Sequence, residues 1–188
     1  MKIVDADKNT IKKLRDSGLS TSMKSLEFCK FLVIEEHDEK IIGASGIGGL
    51  LNIHSIEINK NYRGKGLGKK LFSVNIEEAK KRGYSFILGS TNPENIPVVK
   101  LYSFLGFSRL FRIHYSHGIV TDAKILVLKP KGRIIEKLLN LINTKIGMFA
   151  MAVTVKVAKS SFRGILTLSP NEFPDPSILY IVRNFEKV

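Results

Sequence analysis

The stretch Tyr62-Arg-Gly-Lys-Gly-Leu-Gly68 places three glycines and two cations in seven residues. It lies between a β-like run and an apolar pattern with helical spacing. Glycines in such a turn let successive backbone N–H groups converge on an anion at a helix N-terminus, and their missing side chains permit close approach to a diphosphate. Arg63 and Lys65, with Lys69 and Lys70 just after, add positive charge where phosphates would sit. A surface turn carrying solvated lysines has the same composition. No Ser/His/Asp or Cys/His pairing is legible, and no cluster of metal-ligand residues appears. Cys29 is the only cysteine, which excludes an internal disulfide and a cysteine-based zinc site.

The elements that would hold this turn can be read on either side of it. A short strand at Lys2 to Val4 precedes a modest amphipathic helix around Thr10 to Ser17, with Gly18 placed to stop it. Ser20 to Phe28 reads as a second short helix. Phe31 to Glu36 and Lys40 to Ala44 are apolar runs about the polar turn His37-Asp38-Glu39, which predicts a hairpin. The glycine-dense segment Gly43 to Gly49 leads into no helical pattern, so a bulged strand end or turn fits it better than a dinucleotide loop. Asn52 to Ile58 is β-like and ends at a turn, Asn59 to Asn61. A helix then begins at about Gly66, with Leu67, Leu71, Val74 and Ala79 beside Phe72 and Ile76 as its apolar stripe. Lys80-Lys81-Arg82 suits its C-terminal dipole and Gly83 closes it. Ser85 to Leu88 reads as a buried strand of the parallel kind. Asn95 can cap a helix through Leu105 that Gly106 terminates, and Leu110 to Tyr115 and Lys124 to Leu128 read as two further strands. The order is that of a mixed α/β sheet.

Two spaced motifs in this frame resemble those of the GNAT acetyltransferase superfamily. Ile56-Glu-Ile-Asn-Lys-Asn-Tyr-Arg-Gly-Lys-Gly-Leu-Gly68 is similar to the family's strand-turn-helix cofactor motif, Q/R-x-x-G-x-G/A, with Arg63, Gly66 and Gly68 filling it. Some thirty residues on, Asn95-Ile-Pro-Val-Val-Lys-Leu-Tyr-Ser-Phe-Leu-Gly-Phe107 is similar to its second signature, N-x-x-A-x-x-L-Y-x-x-x-G-F. The resemblance covers about residues 1 to 128, most closely 52 to 107. It implies a mostly antiparallel central sheet with splayed middle strands flanked by helices. It also implies acetyl-CoA as co-substrate and no metal. Backbone groups of Ile56, Glu57 and Ile58 would hold the acetyl carbonyl and pantetheine. Arg63, Gly64, Lys65, Gly66, Leu67, Gly68 and Lys69 would hold the pyrophosphate. Asn95 matches the asparagine that contacts the pantetheine arm, and Tyr102 the tyrosine that protonates the departing thiolate. A phenol held in line with the sulfur can do this, although Tyr102 could also simply pack its ring on the sheet. Three positions depart from the pattern: Val98 stands for the usual alanine, Lys60 for a proline before the turn, and Ser90 where some protein-acetylating members carry a glutamate base.

Acetyl transfer to an amine needs a neutral nucleophile, so something must remove a proton. His54 is the first candidate, because its unperturbed pKa lies near neutrality, and Glu57 is the second. Each has a plainer reading, His54 as a tolerated polar strand residue and Glu57 as a surface or salt-bridged carboxylate. By the resemblance His114 and Tyr115 fall on a strand that shapes the acceptor pocket, whereas His117 reads as loop. With no nucleophile-base pair legible, direct attack by the amine without an acyl-enzyme is the better mechanism.

The 188 residues carry a formal net charge of +13, which favours anionic partners and does not bear on the fold. Between Lys129 and Arg163 eight basic residues face one acid, Glu136. Beyond the family core, a helix is expected between Gly132 and Asn143. Met148 to Val157 is ambiguous between helix and strand, Phe162 to Leu168 and Ser177 to Val182 read as strands, and Pro170 to Pro176 as a loop. The expected organisation is thus a GNAT-like domain over 1–128 and a basic α+β extension over 129–188. The extension's apolar surface needs burial against the core or a partner subunit. A homodimer, a membrane surface and nucleic acid are the alternatives to packing on the core, the last weakened by the scarcity of interleaved aromatics. The charged N-terminus lacks the apolar stretch of a signal peptide, and Ile146 to Val155 is too short to cross a bilayer, so a cytoplasmic location is expected. The acceptor is expected to be a protein amine or a small anionic amine. The rival from another class is a non-catalytic module that binds coenzyme A or another anion and tethers to nucleic acid or a membrane.

Overall fold

The structure, a computed structural model, describes residues 1–19, 26, 29–49, 51–114, 120–141, 146 and 180–182. They fall in two compact units, one within Met1–Tyr84 and the other from Ser85 onward.

In the first unit the strands β1 (Lys2–Asp5), β2 (Cys29–His37), β3 (Lys40–Gly48) and β4 (Ile53–Ile58) pair antiparallel in chain order. The β2–β3 hairpin turns on Asp38 and Glu39, both with positive φ (48° and 61°), a backbone twist that matches the flanking strands and is usually met by Asn-Gly. Helix α1 (Lys8–Asp16) starts where the Asp7 carboxylate accepts from the Thr10 amide at 2.7 Å and ends before Gly18, at φ +72°. It buries Ile11 and Leu14 with Leu32, Ile34, Ile41 and Ala44 on one face of the strands. Helix α2 (Leu67–Lys81) covers the other face, where a Cβ on Gly43 would meet Leu71 at 2.9 Å and Leu67 at 3.2 Å.

The glycine-dense segment departs from expectation. Gly43 to Gly48 lie inside β3, and only Gly49, at φ +67°, turns. One irregularity falls opposite the strand's end: Cys29 pairs with Gly48 but Phe31 with Ile47, leaving Lys30 as the extra residue of β2. The physical reason for glycine is close packing. A Cβ on Gly46 would come within 2.6 Å of both Cys29 and Leu32, so a larger residue there would force those side chains apart.

In the second unit β5 (Phe86–Thr91), β7 (Val120–Val127), β6 (Ser108–His114) and β8 (Tyr180–Val182) lie in that spatial order, each pair antiparallel. Helix α3 (Ile96–Phe104) is capped by Asn95, whose side chain accepts from the Val98 amide, and stops before Gly106 at φ +82°. Helix α4 (Pro130–Asn140) opens the basic extension and packs on this unit's strands. Leu139 joins Leu110, Phe111 and Ile125, and a Cβ on Gly132 would collide with the Ser85 carbonyl. That carbonyl also accepts from the Leu128 and Lys129 amides at 2.9 and 3.1 Å. Asp122 on β7 is buried, with both its oxygens on the Arg112 guanidinium at 2.6 and 3.1 Å.

The fold is mixed α/β, mostly antiparallel strands flanked by helices, as the sequence implied. The expectations for Met148 to Val157, Phe162 to Leu168 and Pro170 to Pro176 lie outside the described residues, as does the helix expected at Ser20 to Phe28 except for Leu26. No helix among the described residues is long and apolar enough to cross a membrane.

Candidate active site

In the first unit β4 runs through a 3-10 turn (Lys60–Tyr62) into the glycine-rich crook that starts α2. Gly64 and Gly66 take φ +78° and +76°, a region that strains L side chains. A Cβ built on either meets nothing within 4 Å, so the space over both is open. Gly66 is itself the N-cap and supplies no side-chain acceptor, and no acid stands in the first turn. The opening amides of a helix have no carbonyl of their own to bind. With the helix dipole behind them they favour an anion. Lys65 is held over the Tyr62 ring at 5.3 Å.

Two candidate proton acceptors sit on β4, three residues apart, and so face opposite sides of the strand. His54 faces α2. It is 5% exposed and stacks on Phe72 with 3.4 Å between centroids and 5° between planes. Its Nε2 lies 2.8 Å from the Ser45 hydroxyl, which accepts from the Asn75 side-chain amide at 2.8 Å. Ser45 Oγ thus links the Asn75 side-chain amide to the His54 ring in one buried hydrogen-bonded chain. Burial pushes the His54 pKa down to about 3. The expectation that His54 takes the amine's proton is therefore revised: a neutral ring locked in the core binds protons too weakly for that role. Glu57, on the other face, accepts from Arg63 Nη2 at 3.0 Å, while Arg63 Nε donates to the Ile58 carbonyl at 3.0 Å.

In the second unit Tyr102 points from α3 onto β5. Its ring is 2% exposed and meets Phe107 edge to face, 4.8 Å between centroids and 84° between planes. The hydroxyl lies over Gly89, where an added Cβ would stand 2.7 Å from it. Burial raises the phenol's pKa, so it remains a proton donor. Asn95 is exposed, and its Oδ1 makes a long cap bond of 3.4 Å to Val98, which leaves the amide end of the side chain to donate elsewhere. Ser90 is exposed on β5. His114 ends β6, paired by backbone to Val120 and Tyr180. Tyr115 lies outside the described residues. Cys29 is buried, its thiol pushed up to about 12 by burial, so it offers no thiolate. Among the described residues no group of three or more His, Cys, Asp or Glu could hold a metal.

Sequence reasoning missed Ser45, Asn75 and Gly89. Asn75 falls on the buried side of the α2 stripe, so its helical phase was the available signal. Nothing in the sequence marks Ser45 as the residue across from His54, or Gly89 as the floor under Tyr102.

The chain is thus a mixed α/β protein with an open, glycine-lined crook at the start of α2. The profile of the Acetyltransferase (GNAT) family matches residues 7–107, more than half of the chain, and the chain belongs to that family. It is 33% identical to N-alpha-acetyltransferase 30 of Schizosaccharomyces pombe over 78 residues, 42% of this chain and 52% of that protein. It is 34% identical to the L-methionine sulfoximine/L-methionine sulfone acetyltransferase of Salmonella typhimurium over 55 residues, 29% of this chain and 32% of that one. The matches thus span about half or less of these relatives' lengths. Among solved structures, yncA from Salmonella typhimurium with its cofactor acetyl-CoA superposes with a TM-score of 0.56 at 18% identity, covering 69% of this chain and 94% of that one. The ribosomal-protein-S18-alanine N-acetyltransferase of Escherichia coli gives 0.55 at 17% identity, over 68% and 94%. These likenesses establish the fold.

Proposed function

We propose that this chain transfers an acetyl group from acetyl-CoA to a primary amine by direct attack in a ternary complex. The observation that carries the reading is the open crook at Gly64 and Gly66, whose left-handed φ values serve no packing need. The pyrophosphate binds there, with Arg63, Lys65 and Lys69 close in sequence, and the backbone of Ile56 to Ile58 receives the pantetheine arm. Glu57 is the residue that takes the ammonium's first proton, since burial holds the His54 pKa down. The amine nitrogen forms the new bond to the acetyl carbon as the carbon–sulfur bond breaks. Tyr102 delivers a proton to the sulfur, and the second proton lost by nitrogen restores the phenol. Keeping Tyr102 neutral is what its burial supports.

For the acceptor, the chain's excess of positive charge favours a protein amine or a small amine bearing a carboxylate or phosphate. The relatives' names point to an α-amine in one case and to L-methionine sulfoximine and sulfone in the other. Residues 1–128 form the catalytic domain in this reading and 129–188 an extension, of which α4 packs on β7 and β6.

Calorimetry with acetyl-CoA tests the first step. The reading expects a dissociation constant of about a micromolar or tighter, near −8 kcal/mol. Thiol release with a panel of peptides and acidic amino acids tests the second. Absence of acetyl-CoA binding would overturn the proposal, and binding without turnover on any amine would leave the tethering module in its place.

A further inference from the structure

Arg63 stands at the mouth of the crook, the last residue before Gly64, yet its guanidinium is turned back toward β4. One nitrogen holds a single oxygen of Glu57 at 3.0 Å and another holds the Ile58 carbonyl at 3.0 Å. The pair is lopsided: the Arg63 side chain is 53% exposed, the Glu57 side chain 9%. With one guanidinium nitrogen on one carboxylate oxygen, the fork is only partly used, so the exposed Arg63 end can be traded for a better anion while the buried Glu57 end needs a replacement cation. Phosphate oxygens, by contrast, can take a guanidinium in two-pronged fashion. An anion seated over Gly64 and Gly66 would therefore compete for Arg63, and the carbonyl it holds belongs to the strand end that the pantetheine arm would use.

We infer that Arg63 is a shared clasp, bound to Glu57 in the free protein and passed to the diphosphate when acetyl-CoA enters. The inference rests on the acetyltransferase reading and goes beyond it by coupling the two substrates. Once released, the Glu57 carboxylate is a mostly buried anion without its cation, which the protein tolerates poorly. The acceptor's ammonium is the group that restores balance, and it stands where its proton can pass to the carboxylate. Arg63 thereby positions Glu57.

A calorimetric double-mutant cycle on the full chain tests the clasp, with acetyl-CoA as the titrant and wild type, Glu57→Gln, Arg63→Ala and the double variant as the proteins. Removing Glu57's charge frees Arg63 in advance, so Glu57→Gln should bind acetyl-CoA more tightly than wild type, by roughly two- to five-fold for a pair of this exposure. In the Arg63→Ala background the same change should have no effect, and Arg63→Lys, which lacks the fork, should show an intermediate one. Thermal melts confirm that each variant is folded, with Arg63→Met replacing Arg63→Ala if the latter is not. Unchanged or weaker binding by Glu57→Gln overturns the clasp. So does equal tightening with and without Arg63, which would reflect only removal of a negative charge near phosphate. If wild type itself binds no acetyl-CoA, the acetyltransferase reading fails instead, which keeps the two failures apart.

Discussion

Mild acid should weaken the folded protein through His54, and by an amount the structure sets. The folded ring has its pKa pushed down to about 3 from an ordinary value of 6.5, because charging it would place an unsolvated cation against Phe72. Between those two values the unfolded chain holds more protons than the folded one, so stability rises with pH and is lost as pH falls from about 6.5 toward 3. The slope approaches 1.4 kcal/mol per pH unit. Going from pH 7.5 to pH 5 crosses about one and a half units of that window, so His54 alone should cost on the order of 2 kcal/mol. His54→Gln retains a polar partner for Ser45 and cannot titrate. Urea unfolding of both proteins at the two pH values isolates the effect, because the other three histidines are common to both. Wild type should lose about 2 kcal/mol more than the variant. Equal losses would refute the reasoning, as would an NMR titration of the His54 ring near pH 6.5.

Two further outcomes follow from the packing of Tyr102. Gly89→Ala inserts a methyl against the phenol ring and should destabilise the protein by about 1–3 kcal/mol, the usual range for overpacking, with a matching drop in the midpoint of thermal unfolding. A neutral result would mean the ring does not rest on Gly89. Tyr102→Phe preserves the ring and its contact with Phe107, so acetyl-CoA affinity should stay close to wild type. Turnover should fall by about 10²- to 10⁴-fold, as expected for loss of a proton donor; undiminished turnover would remove Tyr102 as the acid.

Most elements were legible because their signals are local. The cap at Asn95, the stop at Gly106 and the crook at Gly64 to Gly68 each depend on one residue type in one backbone state. The hairpin was found from its polar turn, although Asp38-Glu39 supplies positive φ without a glycine. What escaped depends on contacts distant in sequence. His54 reads as a base from its solution pKa alone, and only Ser45, nine residues back on β3, and Asn75 in the middle of α2 reveal it as a locked core residue. Asn75 Oδ1 is buried without a hydrogen-bond partner, so even in the folded state this network is not fully satisfied. The glycines of β3 were read as a bulged strand end or turn because a strand glycine has two physical causes, a bend or a close neighbour, and sequence does not separate them. Here Leu71, Leu32 and Cys29 are the neighbours.

Backbone amide shifts of Gly64, Gly66, Leu67 and Gly68, followed during titration with acetyl-CoA, address the anion-gripping crook most directly. If the left-handed glycines exist to bring N–H groups onto a diphosphate, these amides should move furthest, and their shifts should saturate together in the micromolar range. Should they stay still while resonances elsewhere respond, the crook is an ordinary surface turn and the account built on it is wrong.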